Sequence, residues 1–326
     1  MYRLVMALYS LNENLDLKDG SAPIIMREAI EEIAPAKLNL SLHVIGQRSD
    51  NYHLLQSLVV FMNNGDMIKV EAAESDSFAI SGRFGGGEDF GADNLVIKAR
   101  NFLRDLVGQE RCPPVAIHLE KNLPIASGIG GGSSDAAATL VALIRHWNLI
   151  PDADDREAEL QLLTNKVQSL GADVPMCLHG VLYRSPLIAT GIGEILKPLD
   201  EFIPLDILLI NSGVAVSTPQ IFAKLENKTN PEFSWNDGAG AHYKGLIEKL
   251  KTMRNDLYQP ALHQYPALKT ILHTLQDLGA DFAAMSGSGA TCFGIFPNAQ
   301  ALQQAYLEAQ KIYPNYFLIA GKSYGV

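Results

Sequence analysis

Pro124-Ile125-Ala126-Ser127-Gly128-Ile129-Gly130-Gly131-Gly132-Ser133-Ser134-Asp135-Ala136-Ala137-Ala138 is a glycine-rich loop that runs into an alanine-rich helix. Gly128, Gly130, Gly131 and Gly132 carry no Cβ, so the backbone can take left-handed angles and several N–H groups can converge on one anion. Ser133 or Ser134 is the expected N-cap. Ala136, Ala137, Ala138, Leu140, Ala142 and Leu143 are good helix formers, which aims the positive end of the helix dipole at the loop. The stretch reads as a phosphate site able to take a nucleoside triphosphate. Its bland alternative is a flexible glycine turn ahead of an ordinary core helix.

The spacing excludes the two commoner phosphate loops. A Walker loop requires Gly-Lys-Ser/Thr after four intervening residues, but Ser133 stands five residues after Gly128 and no lysine follows. A dinucleotide fingerprint requires glycine at that same point, within a βαβ unit.

At 326 residues, with 47% hydrophobic and 19% charged side chains, the chain is long enough for two domains with cores of their own. A net charge of −10 and the absence of a basic run with interleaved aromatics argue against a nucleic-acid partner or an anionic membrane surface. No stretch of about 18 apolar residues is present, so no membrane span is expected. Cys112, Cys177 and Cys292 are odd in number and widely spaced, which suits buried thiols in the reducing cytoplasm. Residues 1–25 read as an N-terminal extension, with Met26 as an alternative start.

Leu38, Leu40, Leu42 and Val44 alternate with Asn39, Ser41 and His43, the pattern of a half-buried strand with Lys37, Asn39 and Ser41 on its polar face. Runs at 56–62, 67–72, 115–119 and 181–183 also read as strands, while 94–107, 134–147 and 154–170 read as helices, the last stopped by Gly171. After a turn at 190–194, the second half predicts a strand at 205–210, an irregular linker over 226–241, strands at 281–286 and 290–296, a helix at 298–311 and a strand near 315–320. The expected fold class is α+β.

Asp173 lies in Gly-Ala-Asp-Val-Pro-Met-Cys-Leu, an apolar setting that is costly for a charge unless a cation or a transferable proton goes with it. The alternative is an Asx-type cap of the turn before Pro175. Lys37 is a candidate partner, or simply an exposed lysine at a strand start. Tyr52 and His53 offer a ring face and a hydrogen-bonding edge side by side, suited to a pyrimidine. The Ser286-Gly-Ser-Gly-Ala-Thr segment permits close backbone approach to a ligand, or is a plain hairpin. No HExxH or Cys/His ligand spacing appears, and no protein metal site is expected.

Taken together, Ala34-Pro-Ala-Lys-Leu-Asn-Leu, the loop Pro124 to Ala138 and Ser286-Gly-Ser-Gly-Ala-Thr resemble the GHMP kinases. Tyr52-His53-Leu-Leu-Gln-Ser-Leu, Gly171-Ala-Asp-Val-Pro and Thr190-Gly-Ile-Gly-Glu extend the likeness to the branch whose acceptor is a cytidine diphosphate-linked methylerythritol, and Asn255-Asp256-Leu257 is a further similar segment without an assigned role. The resemblance implies an α+β, two-domain fold over 26–190 and 191–326, with ATP and substrate in the inter-domain cleft. It implies that Asp173 takes a proton from the acceptor hydroxyl, Lys37 orients Asp173 and balances phosphoryl charge, residues Pro124 to Ser134 hold the ATP phosphates with Mg²⁺, Tyr52 and His53 grip the cytosine, and Asn39 lines the site. Two differences stand out: Ala126-Ser127 and Asn51 occupy places where glycine is frequent, and asparagine tolerates left-handed angles. The enzyme would be cytoplasmic, a monomer or homodimer. The competing readings are a homoserine or mevalonate type acceptor on the same fold, and a non-catalytic nucleotide-binding regulator.

Overall fold

The computed structural model describes residues 29–86, 93–149, 166–236 and 238–326. The N-terminal extension and most of the expected helix at 154–170 lie outside the described residues. Among the described residues no helix is long and apolar enough to cross a membrane. Two compact units interleave along the chain. One takes residues up to Ala34, Gly65–Leu123 and Gly132–Tyr183; the other takes Pro35–Asn64, Pro124–Gly131 and Arg184–Val326. The division cuts two long strands, β1 (Ile30–Gln47) and β2 (His53–Ala72).

In the first unit, β4 (Val115–Glu120) runs antiparallel to Met67–Ala72 of β2 and parallel to β3 (Ser77–Ser81). Helix α1 (Leu95–Val107) buries Val96, Ala99 and Leu103, and Asn94 caps it by accepting from the Val96 N–H at 2.9 Å. Helix α2 (Gly131–His146) is buried on nearly every side, with Ala136, Ala137, Ala138, Leu140, Val141, Ala142 and Leu143 wholly inaccessible. Its alanines leave room for neighbours to pack close to its backbone. A 3-10 turn at Val167–Leu170 and helix α3 (Val174–Tyr183) complete the unit.

The second unit holds β5 (Leu187–Gly191), paired with Leu55–Val59 of β2 and with β6 (Ile195–Pro198). It also holds a four-stranded antiparallel sheet in the order β10 (Phe317–Lys322), β7 (Asp206–Asn211), β9 (Thr291–Phe296), β8 (Phe282–Met285). Helices α4 (Thr218–Ala223), α5 (Tyr243–Lys251), α6 (Tyr258–Gln264), α7 (Ala267–Asp277) and α8 (Ala299–Ile312) complete it. Leu42 and Val44 of β1 join Leu208, Ile210, Ile271, Leu275 and Phe296 in one core.

The secondary structure expected for the second half is found to within a residue or two. Four expectations change. Residues 181–183 end helix α3 rather than forming a strand, because Pro175 opens that helix in the first turn, where a missing N–H costs nothing. The runs at 56–62 and 67–72 form one continuous strand, with no residue of Asn63-Asn64-Gly65 at the positive φ a tight hairpin needs. Helix α2 starts at Gly131, so Ser133 and Ser134 lie inside its first turn; Gly130 at φ +68° ends the loop and sets that start. Strand β1 is not half-buried: Lys37, Asn39, Ser41 and His43 are at most 4% exposed, because other segments satisfy its polar face.

Candidate active site

The glycine loop is held by its carbonyls. Ser127 O accepts from the Thr291 hydroxyl at 2.7 Å and the Thr291 N–H at 3.2 Å, Gly128 O from the Ser286 hydroxyl at 3.0 Å, and Ile129 O from the Lys37 N–H at 2.9 Å. Three successive carbonyls are thus turned toward β1 and the 286–291 segment. A trans peptide points its N–H opposite to its C=O, so the N–H groups of Gly128 and Ile129 turn the other way. N–H groups so turned could receive an anion, and the chain then passes directly into the positive end of α2.

Gly128 sits at φ +77°, and a Cβ placed on it would lie 2.5 Å from Gly289 O and 2.7 Å from Ser286 O. The close approach permitted by Gly287 and Gly289, at φ +55° and +89°, is therefore an approach to the phosphate loop itself. Gly128→Ala is expected to destabilise the protein by roughly 1–3 kcal/mol through the left-handed angle alone, before the collision is counted. The same change should raise KM for ATP at least about tenfold, because the loop has to move away from Ser286 and Gly289. A melting curve and an ATP titration on the variant check both.

Lys37 and Asn39 are each 4% exposed on β1. The Lys37 ammonium donates to Asn39 Oδ1 at 2.9 Å, Asn39 Nδ2 donates to the Ser57 hydroxyl at 2.7 Å, and that hydroxyl donates to Ser41 O at 2.6 Å. Lys37 is thus a buried cation, not the exposed lysine of the bland alternative, and Asn39 fixes where its Nζ lies. The Asn39 N–H donates to Ser286 Oγ at 3.1 Å. Lys37, Asn39 and the loop Pro124–Gly131 therefore form one hydrogen-bonded assembly in the second unit.

Asp173 belongs to the first unit, half-buried at the N-cap position of α3, where its carbonyl accepts from the Cys177 N–H at 3.0 Å. A carboxylate there is stabilised by the helix dipole. The capping position is the alternative weighed from sequence, and it leaves the carboxylate partly accessible for chemistry. A Cβ on Gly171 would lie 3.9 Å from Ser133 Oγ, so the turn that carries Asp173 abuts the first turn of α2.

The Tyr52–His53 pair divides. Asn51 takes φ +71°, as its amide side chain allows, and Tyr52 is 55% exposed. His53 opens β2 with its ring stacked on Phe222 of α4, centroids 4.8 Å apart at 25°. Burial, with Lys228 adding to it, holds the imidazole below its ordinary value and therefore neutral, and its buried Nε2 has no hydrogen-bond partner. Phe222 carried no signal in the sequence, being one apolar residue of a short helix 169 positions from His53 in a chain read without contacts.

Two further groups have no role in the sequence analysis: one is absent from it, and the other is noted there only as part of a similar segment. The buried Lys121 ammonium donates to Asp66 Oδ2 and, at 2.6 Å, to Asp135 Oδ2, while Asp66 Oδ1 accepts from the N–H groups of Asn122 and Leu123 at 2.5 and 2.7 Å. Asp135 Oδ1 has no partner. Burial, and then the neighbouring Asp66, push the Asp135 carboxyl well up, against the pull of Lys121. An aspartate inside the alanine run of α2 was the available clue. The second group is Asn255, whose side-chain amide donates to both Met285 O and Gly287 O at 2.8 Å. Among the described residues, no three His, Cys, Asp or Glu side chains gather as a metal site.

Residues 94–181 match the GHMP kinases N terminal domain, and residues 243–315 match the GHMP kinases C terminal domain. An α+β fold carrying both domains defines a GHMP kinase, a small-molecule kinase. The chain is 47% identical over 296 residues to the 4-diphosphocytidyl-2-C-methyl-D-erythritol kinase of Brucella abortus biovar 1, covering 91% of this chain and 96% of the relative. It is 48% identical over 296 residues to the kinase of the same name from Agrobacterium fabrum, covering 90% and 95%. A crystal structure of a 4-(cytidine 5'-diphospho)-2C-methyl-D-erythritol kinase superposes with a TM-score of 0.72 at 30% identity, over 91% of this chain and 100% of that one. The chain belongs to the family of 4-diphosphocytidyl-2-C-methyl-D-erythritol kinases.

Proposed function

We propose that the chain transfers the γ-phosphoryl group of ATP to the C2 hydroxyl of 4-diphosphocytidyl-2-C-methyl-D-erythritol, a step in the non-mevalonate route to isoprenoid precursors, in the cytoplasm. The observation that carries this reading is the loop whose carbonyls at 127, 128 and 129 are all engaged by protein donors, which turns the N–H groups of Gly128 and Ile129 the other way, where an anion could take them. Phosphoryl transfer is largely positioning and charge stabilisation, so a cradle, a cation and a base suffice. Residues Pro124 to Ser134 would hold the ATP phosphates. Mg²⁺, which neutralises phosphate charge when bound, would be carried chiefly by the phosphate oxygens, as is usual for this ion. Asp173 would accept the proton of the attacking hydroxyl. Lys37, with its Nζ fixed by Asn39, would balance charge on the transferring group.

Tyr52 would offer its exposed ring to the cytosine, and neutral His53, backed by Phe222, would lie beside it. The domains would follow the sequence as 26–190 and 191–326, with residues 1–25 as an extension. The test is ATP-dependent phosphorylation of the cytidyl substrate by the purified chain, with homoserine and mevalonate as control acceptors. Turnover on the cytidyl substrate alone is expected. Tyr52→Ala should raise KM for that substrate about 5- to 150-fold, the scale of one lost base stack. Turnover on a control with none on the cytidyl substrate would overturn the assignment.

A further inference from the structure

The phosphate loop makes no direct contact with either of the two asparagines that fix the hydroxyls holding it. Asn211, 1% exposed at the end of β7, donates from Nδ2 to Thr291 Oγ1 at 2.8 Å, and that hydroxyl donates to Ser127 O at 2.7 Å. Since Thr291 Oγ1 accepts from Asn211, its one proton is committed to the loop carbonyl. Asn255 works on the next carbonyl. Its amide grips the carbonyls on either side of Ser286, and Ser286 Oγ, accepting from the Asn39 N–H, gives its proton to Gly128 O at 3.0 Å. Asn255 is itself anchored to β1, where the Leu42 N–H donates to Arg254 O and the Asp256 N–H to Leu42 O, each at 2.9 Å. Asn255 Oδ1 accepts from the Leu257 N–H at 2.9 Å, and Asn211 Oδ1 from the Gly213 N–H at 2.7 Å, so neither amide is free to flip.

We propose that Asn211 and Asn255 are positioning residues for ATP: each fixes the polarity of one hydroxyl, and the two hydroxyls hold successive peptides of the phosphate loop with their N–H groups turned to the nucleotide. This rests on the loop being the ATP phosphate site. Asn211→Asp is the incisive variant. It preserves size, but a carboxylate only accepts, so the Thr291 proton turns to residue 211 and Ser127 O keeps only the longer backbone bond. Asn255→Ala releases the carbonyls around Ser286.

Wild-type turnover and ATP affinity are measured first; their absence would overturn the reading of function and this inference with it. Given both, Asn211→Asp and Asn255→Ala are each expected to raise the ATP Kd and KM about tenfold, the scale of one well-placed hydrogen bond. KM for the acceptor should stay within about twofold, and kcat at saturating ATP should change less than KM. Thr291→Val and Ser286→Ala remove only the hydroxyls and serve if an asparagine variant fails to fold. Ser286→Ala should reproduce most of the Asn255→Ala effect, and the two together should be clearly less than additive. ATP affinity within twofold of wild type in these variants, or equal losses for both substrates alongside a lowered Tm, would reduce the asparagines to general supports and overturn the inference.

Discussion

Asp173→Asn should fold as the wild type does and lose about 10²–10⁴ in kcat, the usual scale of general-base catalysis. The substitution separates chemistry from structure because of where the residue sits. At the N-cap of α3, asparagine is as good as aspartate, so the helix start and the Asp173 carbonyl bond to the Cys177 N–H survive. What is removed is the carboxylate proposed to accept the proton, and with it a charge near the helix terminus worth only about 0.3–1 kcal/mol. Tm should therefore move by no more than a few degrees. KM for ATP should change less than kcat, since Lys37, Ser286 and Thr291 hold three carbonyls of the glycine loop and are untouched by the substitution. Single-turnover rates with a melting curve on the same preparation decide it. A fall below about tenfold in kcat would make Asp173 a helix cap that orients its surroundings, and the proton would then pass to another acceptor.

The readable parts of this chain were those whose chemistry is local. Four glycines before an alanine run specify a bare backbone feeding a helix, whatever the rest of the chain does, and Asn51 announced its left-handed angle by its residue type. The burial of β1 was not readable. Alternation along 37–44 gives a half-buried strand with Asn39 and Ser41 on its polar face, but that face is buried, Asn39 being satisfied by Ser57 and by Ser286, the latter 247 residues away. A polar strand face is exposed or functional according to partners that no window of sequence contains. Val181-Leu182-Tyr183 was misread for a related reason: three apolar residues carry no periodicity, and the proline that sets the helix lies upstream. The sequence singles out His53 for its ring edge, but gives no hint of its stacking partner Phe222, which comes from another element.

Lys121→Met is expected to cost about 3–5 kcal/mol of stability, the second large effect, because it strips the cation from a buried group holding two carboxylates. Lys121 and Asp66 are almost wholly inaccessible, and Asp135 is 3% exposed. Burial works against the ammonium, but Asp135 and Asp66 outweigh it and hold Lys121 above its ordinary value. Methionine keeps most of the stem volume, so the loss is one of charge and not of packing. The sign with pH follows. Without Lys121, the carboxyl of Asp135, already pushed well up by burial and by Asp66 in the wild type, is pushed up further, while in the unfolded chain it ionises near pH 4. Between those values folding takes up a proton, so stability falls as pH rises through the window. The deficit of Lys121→Met should accordingly be smallest near pH 4–5 and largest above neutrality. Adding Asp135→Asn should recover part of it at neutral pH by removing the charge that burial penalises most. A double variant no more stable than Lys121→Met, or a deficit independent of pH, would assign the loss to packing. ATP binding should weaken with stability, because Lys121 precedes the glycine loop in the chain, Asp135 follows it in the first turns of α2, and their contact ties the two ends of that segment together.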